Sequence, residues 1–148
     1  MDNTKKRLSP ELRTRRRQIR DEAKGLLRQS FWNKGINEPI RITNTGVKEW
    51  LNQPHKYYER KNELLLNIGG VIENAEYKGV SYYKGKKTHI FETKICEEAS
   101  WIIATEVKGR GVAIYSISDN EKVLVGIKNP SEIGSRNYSP RQLSNGCL

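Results

Sequence analysis

Long apolar runs are missing from this chain. The longest, such as Trp101–Ala104, fall far short of the roughly 18 residues a transmembrane helix needs. A membrane-spanning protein is therefore excluded, and no membrane partner is expected. The N-terminus is charged and has no apolar core, so it does not read as a secretory signal. Cysteine is scarce: only Cys96 and Cys147 occur. Two thiols so far apart suggest neither a disulfide scaffold nor a zinc site, and a reduced, cytoplasmic protein is the expectation. Glu97 and Glu98 follow Cys96 and oppose a thiolate there, which argues against a cysteine nucleophile. The chain has no Walker loop, no dinucleotide-type glycine fingerprint, no HExxH and no cluster of metal ligands. No cofactor and no metal are expected, and Gly69-Gly70 and Gly109-Arg110-Gly111 read as turns. Histidine occurs only twice, at His55 and His89.

What the chain has in excess is positive charge. Its 148 residues carry 27 Lys+Arg against 17 Asp+Glu, a net charge of +10. Such an excess favours a polyanion, with nucleic acid as the first partner to consider. Residues 1–30 hold ten basic and four acidic side chains, a net of +6, so more than half of the excess lies in one fifth of the chain. That segment reads as a helix. Ser9 is placed to cap it, Pro10 suits its first turn, and Glu11 complements its positive end. Leu12, Ile19, Ala23, Leu26 and Leu27 form one stripe. Arg13, Arg16, Arg17 and Arg20 are candidates for phosphate contact, although a basic helix face is also what a solvated, docked helix presents.

Residues 31–39 read as a loop, and Ile40–Thr43 as a short strand. Thr43 or Asn44 then caps a helix that runs through Trp50-Leu51 and is interrupted by Pro54. A second helical pattern runs from Tyr57 to Gly69-Gly70, and 71–75 reads as a further turn. Beyond it the period changes. Segments 76–83, 88–95, 100–107, 111–118 and 122–127 are rich in β-branched and aromatic residues and are separated by short turns, which require antiparallel neighbours. The expected fold is α+β, with N-terminal helices packed on a curved antiparallel sheet. The expected organisation is a basic helical arm and linker over 1–39, a compact domain over 40–130, and a flexible tail over 131–148. Strict alternation places Ile102, Ala104 and Glu106 on one face of their strand. It groups Val112, Ile114, Ser116 and Ser118 in the next.

RNA cleavage without a metal asks for little. A base takes the 2′-hydroxyl proton, a cation stabilises the phosphorane, and an acid protonates the leaving oxygen. Acid–base catalysis supplies about 10²–10⁴ per group, and preorganised positive charge supplies a similar or larger share. His55, His89, Lys61 and Glu106 are residue types that suffice. Lys56, Arg60, Lys86 and Lys87 flank the histidines as phosphate contacts. Tyr58, in the Tyr57-Tyr58 doublet, is of the type that stacks on an unpaired base, as are Tyr82 and Tyr83.

The stretch Ile40-Arg-Ile-Thr-Asn-Thr-Gly-Val-Lys-Glu-Trp-Leu, then Pro54-His55-Lys56, Lys61-Asn62-Glu-Leu-Leu and Ile68–Asn74, resembles the opening of the phage-associated barnase/EndoU/colicin/RelE-like nuclease domains. Those domains occur in large polyvalent phage and mobile-element proteins. Thr88-His89-Ile90-Phe91, Ala99–Glu106 and 112–117 are similar to that family's strand region. The resemblance implies helices before a curved antiparallel sheet, a metal-independent endoribonuclease acting through the 2′-hydroxyl, and an immunity or phage-protein partner. His55 and Lys61 match the histidine–lysine part of the family pattern, and His89 the polar position that opens a strand. Glu106 and Ser116 are added from the face analysis.

Two classes of function follow. One is a toxin-like nuclease acting on RNA rather than DNA, with His55, His89, Lys61, Glu106 and Ser116 as catalytic candidates. The other is a module without catalysis: a nucleic-acid-binding or virion-associated domain, or a protein-binding adaptor or inhibitor. The nuclease expectation has a geometric core, that folding gathers His55, His89, Lys61 and Glu106 within about 10 Å of one another in a basic cleft.

Overall fold

The computed structural model describes residues 8–83 and 85–127. Helix α1 (Pro10–Ala23) starts at Ser9, whose hydroxyl accepts from the Leu12 N–H. A 3₁₀ turn follows it, and then a hairpin of β1 (Ser30–Asn33) and β2 (Glu38–Arg41). Helix α2 (Asn44–Asn52) is capped by Thr43, which accepts from the Gly46 N–H. Helices α3 (Tyr58–Leu64) and α4 (Ile68–Asn74) are joined by a 3₁₀ turn over Leu65–Asn67. Strands β3 (Glu76–Tyr83), β4 (Lys86–Ile95), β5 (Glu98–Val107) and β6 (Gly111–Ser118) complete one six-stranded sheet in the order β1-β2-β6-β5-β4-β3, curled into a half-barrel. The α+β class, with helices on a curved sheet, is as expected.

Several details differ from the sequence expectation. The 31–39 segment is not a loop; most of it forms the β1–β2 hairpin. Strand β2 pairs with β6 in parallel, Ile40 opposite Val112, because the long connection between them, α2–α4 and then the strands that follow, returns the chain in the same direction, which no tight turn can do. The 122–127 segment is not a strand: Glu121–Leu124 is a 3₁₀ turn capped by Asn120. Gly69 and Gly70 lie inside α4 instead of ending a helix. Cys96, in the β4–β5 turn, is not a free thiol, against the reduced state expected; pairing depends on proximity in the fold, which spacing along the chain does not reveal. Cys147 and the 131–148 tail lie outside the described residues.

The helices and one face of the sheet enclose a single core that includes Trp50, Leu51, Leu65, Ile68, Phe91, Ile102 and Ile114. Ile19 and Ala23 of α1 are fully buried in the same core. The basic segment is thus packed with the body through its apolar stripe. Helix α2 lies on β6 at Gly46, where an added Cβ would stand 2.4 Å from the Ile114 carbonyl oxygen. Only glycine permits that approach.

Two β-bulges decide which side chains share a face. In β3 the register shifts between Tyr77, opposite Phe91, and Gly79, opposite Ile90. Gly79 takes a φ of 137° there. One extra residue inverts the alternation, so Tyr77, Val80 and Tyr82 all line up with Phe91, His89 and Lys87. In β6 the shift falls between Ile114 and Ser116. Val112, Ile114 and Ile117 consequently face the helices together, whereas Ser116 opposes Ile103 on the other face. Strict alternation had grouped Ser116 with Val112 and Ile114; the bulge separates them.

Candidate functional site

The helix-facing side of the sheet holds two polar centres, one at each end of β5. At the end bearing the β3–β4 and β5–β6 turns, His89 is buried, 5% exposed, and both its ring nitrogens are engaged. Nδ1 lies 2.8 Å from the Tyr77 hydroxyl, and Nε2 lies 2.9 Å from Glu106 Oε2. Lys87 Nζ stands 3.3 Å from the same carboxylate oxygen. The hydrogen bond from His89, aided by Lys87, holds the Glu106 carboxyl below its ordinary range. Burial, with Glu106 and Glu38 nearby, pushes the Tyr77 phenol up to about 12, so it stays protonated and serves as a donor. With the phenol donating to Nδ1, the Nε2–H donates to Glu106.

This array opens to solvent at Glu106, whose side chain is 39% exposed. Tyr82 is 67% exposed and pairs across the strands with Lys87. Lys86, Lys108 and Arg110 are exposed in the two turns at this end. Arg41 reaches the same end and donates to the Arg110 carbonyl at 3.0 Å. The result is an ionised carboxylate braced by a buried imidazole and paired with Lys87, at an end of the sheet that also carries Lys86, Lys108, Arg110 and the exposed Tyr82 ring.

The other centre is a cleft of about 510 Å³ lined by residues including His55, Lys56, Glu98, Ser100 and Asp119. His55 Nδ1 accepts from the Tyr57 backbone N–H at 2.8 Å. The ring's proton therefore sits on Nε2, which donates to Ser100 Oγ at 2.9 Å. In that tautomer the imidazole does not accept from the serine and so does not activate it as a nucleophile. Burial lowers the His55 pKa and Lys61 lowers it further, while Asp119 and Glu98 oppose both. The rim is tied by Lys56 Nζ to Glu98 at 2.9 Å, by the Tyr57 hydroxyl to Glu98, and by the Lys56 N–H to Asp119 at 2.7 Å.

His55 meets β5 at Ser100, whereas His89 pairs with Ala104. Four residues of strand separate those anchor points, roughly 13 Å at ~3.3 Å per residue, with the Phe91–Ile102 layer between them. The two imidazoles share a face but are not hydrogen-bonded into one cluster. Lys61 stands apart from Glu106. Fully buried, its ammonium donates to the Trp50 carbonyl at 2.6 Å, while the Trp50 indole N–H donates to the Lys61 carbonyl at 2.7 Å. Its place is the C-terminus of α2, where a cation meets unpaired carbonyls. Burial, with Arg16 nearby, lowers its pKa to about 7.

The expected phosphate contacts also divide. Tyr58 donates to the Leu51 carbonyl and its ring packs under Lys61 Nζ at 4.4 Å. Arg60 pairs with Glu63 at 3.4 Å, Lys56 with Glu98, and Arg16 with Asn52. Arg13, Arg17 and Arg20 are exposed on α1, and Lys86 at the β3–β4 turn. Tyr77 and Ser100, the partners of the two histidines, were not singled out from sequence. Alternation alone would have placed Ser100 with Ile102, Ala104 and Glu106. Tyr77 was hidden by the β3 bulge.

Fold and site together define a small α+β domain in which a sheet covered by helices carries a carboxylate–imidazole centre at a basic end. No described helix is long and apolar enough to cross a membrane. The chain belongs to the family described as large polyvalent protein-associated domain 3, whose model matches residues 10–115. The match begins at the start of α1 and runs to Tyr115, taking in His55, Ser100, His89 and Glu106 but not Asp119. No curated protein and no solved structure matches the chain.

Proposed function

We propose that this domain is an endoribonuclease that cleaves by 2′-hydroxyl attack, with Glu106 as the general base. The observation that carries this reading is the exposed Glu106 carboxylate, held by His89 Nε2 at 2.9 Å and Lys87 Nζ at 3.3 Å beside the exposed Tyr82 ring. Glu106 takes the 2′-hydroxyl proton. The 2′-oxygen bonds to phosphorus, and the bond from phosphorus to the 5′-oxygen breaks. That oxygen leaves with a proton from solvent, giving a 2′,3′-cyclic phosphate and a 5′-hydroxyl. His89, held by Tyr77, is a positioning residue that steadies the carboxylate and keeps it ionised, ready to accept the proton. Lys87 offsets charge on the phosphorane, where a fixed cation is most effective. Tyr82 offers a stacking face for an unpaired base, the feature that distinguishes single-stranded RNA from a uniform polyanion. The resemblance to the barnase/EndoU/colicin/RelE-like nucleases supports the same reading.

The test is incubation of the protein with single-stranded RNA in EDTA, with analysis of the product ends. Cyclic phosphate ends that disappear with Glu106→Gln support the proposal. Intact RNA at high enzyme overturns it. A second reading has its own support: both nitrogens of His89 are occupied and His55 lies elsewhere, so no second imidazole stands free to act as the acid. On that reading the same basic end binds RNA without cutting it, and binding persists where cleavage is absent.

A further inference from the structure

The arginines of α1 are not equivalent. Arg15 leans toward Glu63 at 3.8 Å and Arg16 bonds Asn52, so both are engaged with the helical layer. Arg13, Arg17, Arg20 and Lys24 follow a spacing of four, three and four residues. At 100° per residue they fall within an arc of roughly 60°, a single stripe about 16 Å long at ~1.5 Å per residue. All four are exposed. Among the described residues, Arg13, Arg17 and Arg20 have no ion-pair partner, and Lys24 has Asp21 at 3.4 Å. The stripe borders a cleft of about 240 Å³ between α1 and α2, lined by residues including Arg17, Arg20, Lys24 and Asn44.

Three unpaired arginines on one stripe repel one another. Such a charge is offset best by an anion that repeats at similar intervals, as phosphates do along a nucleic-acid strand. The stripe also leads somewhere. Past Lys24 the chain reaches exposed Arg28, whose N–H donates to the Ile42 carbonyl at 3.1 Å. Neighbouring Arg41 donates to the Arg110 carbonyl, and Arg110 stands in the β5–β6 turn with Lys108, near Glu106 and Lys87. Basic residues thus occur at each step of the chain from the end of α1 to the β5–β6 turn, at the end of the sheet that holds Glu106.

We propose that the Arg13–Arg17–Arg20–Lys24 stripe is an exosite for the phosphodiester backbone of a single RNA strand whose distal part lies at Glu106. The course of the strand rests on the ribonuclease reading; the binding does not. The test uses a 20-nucleotide 2′-O-methyl RNA, which has no free 2′-hydroxyl and cannot be cleaved by that chemistry. Its affinity is measured by fluorescence anisotropy between 50 and 200 mM KCl for the full chain and for Arg13→Gln/Arg17→Gln/Arg20→Gln/Lys24→Gln. Circular dichroism checks that α1 stays folded, since Ile19 and Ala23 are untouched. The expected result is at least tenfold weaker binding at 100 mM salt, with a log–log salt slope smaller by about 3, four contacts at ~0.7 each. Arg13→Lys/Arg17→Lys/Arg20→Lys should keep the wild-type slope, because the charge remains. Affinity and slope unchanged in the glutamine variant would overturn the exosite. So would no binding by the wild-type chain at 100 mM salt, which would leave an acidic protein as the partner for this face. Loss of cleavage at every RNA length, with binding still dependent on the stripe, would instead fail only the ribonuclease reading.

Discussion

His55 and His89 stand on the same face of one sheet, at opposite ends of β5, and they do different work. His89 is enclosed by side chains, a phenol on one nitrogen and a carboxylate on the other. It couples a buried interior to the Glu106 carboxylate, which opens to solvent beside Lys87. His55 is committed to the backbone: its Nδ1 holds the N–H of Tyr57, where α3 begins. The surroundings differ in sign as well. Lys86, Lys87, Lys108 and Arg110 gather at the Glu106 end, whereas Glu97, Glu98, Asp119 and Glu121 gather at the Ser100 end. Imidazole chemistry alone does not define a site; the partner on each nitrogen and the charge around the ring do.

The comparison breaks most decisively at Glu106. Glu106→Gln is expected to lower RNA cleavage by about 10²–10⁴, the share a general base supplies, and to leave thermal unfolding nearly unchanged because the side chain is at the surface. His55→Asn should leave the cleavage rate within about twofold; a large loss there, measured with the same RNA, would show that the two ends act together. The acid limb of the cleavage profile should lie below the ordinary carboxylate range, since His89 and Lys87 favour the ionised Glu106.

A smaller effect is expected at Tyr82. Tyr82→Ala removes a stacking face worth about 1–3 kcal/mol per base, so affinity for a short single-stranded RNA should fall roughly 5- to 150-fold. The same substitution should not alter affinity for a duplex, whose bases are already stacked. Equal losses on both would reassign Tyr82 to packing.

The remaining predictions concern pH and stability in the helical layer near His55. In the folded chain burial lowers the Lys61 pKa to about 7, below its ordinary value of 10.5. Between those values the unfolded chain binds more protons, so stability should rise as pH increases across that window and lose this contribution as pH falls toward 7. Comparing urea unfolding of wild type and Lys61→Met at pH 7 and 9 isolates the slope, which the methionine variant should lack. Burial likewise holds His55 below its ordinary value of 6.5. By the same sign, stability should fall as pH drops through 6.5 toward the lower folded value. Protonating Nδ1 also removes the acceptor for the Tyr57 N–H. His55→Asn keeps an acceptor two residues before that N–H, a geometry asparagine supports. Unfolding of this variant at pH 5 and 7 should therefore show a flatter response. A slope equal to wild type would place the acid sensitivity elsewhere.

Much of this fold was legible. Ser9 and Thr43 cap the helices they were expected to cap, because capping depends on residues within three positions of each other. Strands β3 to β6 were legible from β-branched and aromatic runs between short turns. The β1–β2 hairpin was not, because Glu38 and Pro39 carry no strand preference and are held by pairing with Asn33 and Trp32. His89 and Glu106 were both named from residue type and alternation, and the fold joins them by a hydrogen bond. Lys61 also drew notice as a lysine in the right company, yet nothing local reveals that its ammonium closes the end of α2.

By itself the sequence determined the α+β class, the concentration of basic residues before Ile40 and the spacing that lines Arg13, Arg17 and Arg20 along one helix face. These rest on composition and on periods of two and 3.6 residues, which local geometry imposes. Only the tertiary structure decided that His89 meets Tyr77 and Glu106, that Ser116 faces away from them, and that His55 is spent on the backbone. One bulged residue inverts every side chain beyond it, and hydrogen-bond partners distant in the chain are chosen by the closed core rather than by their neighbours in sequence.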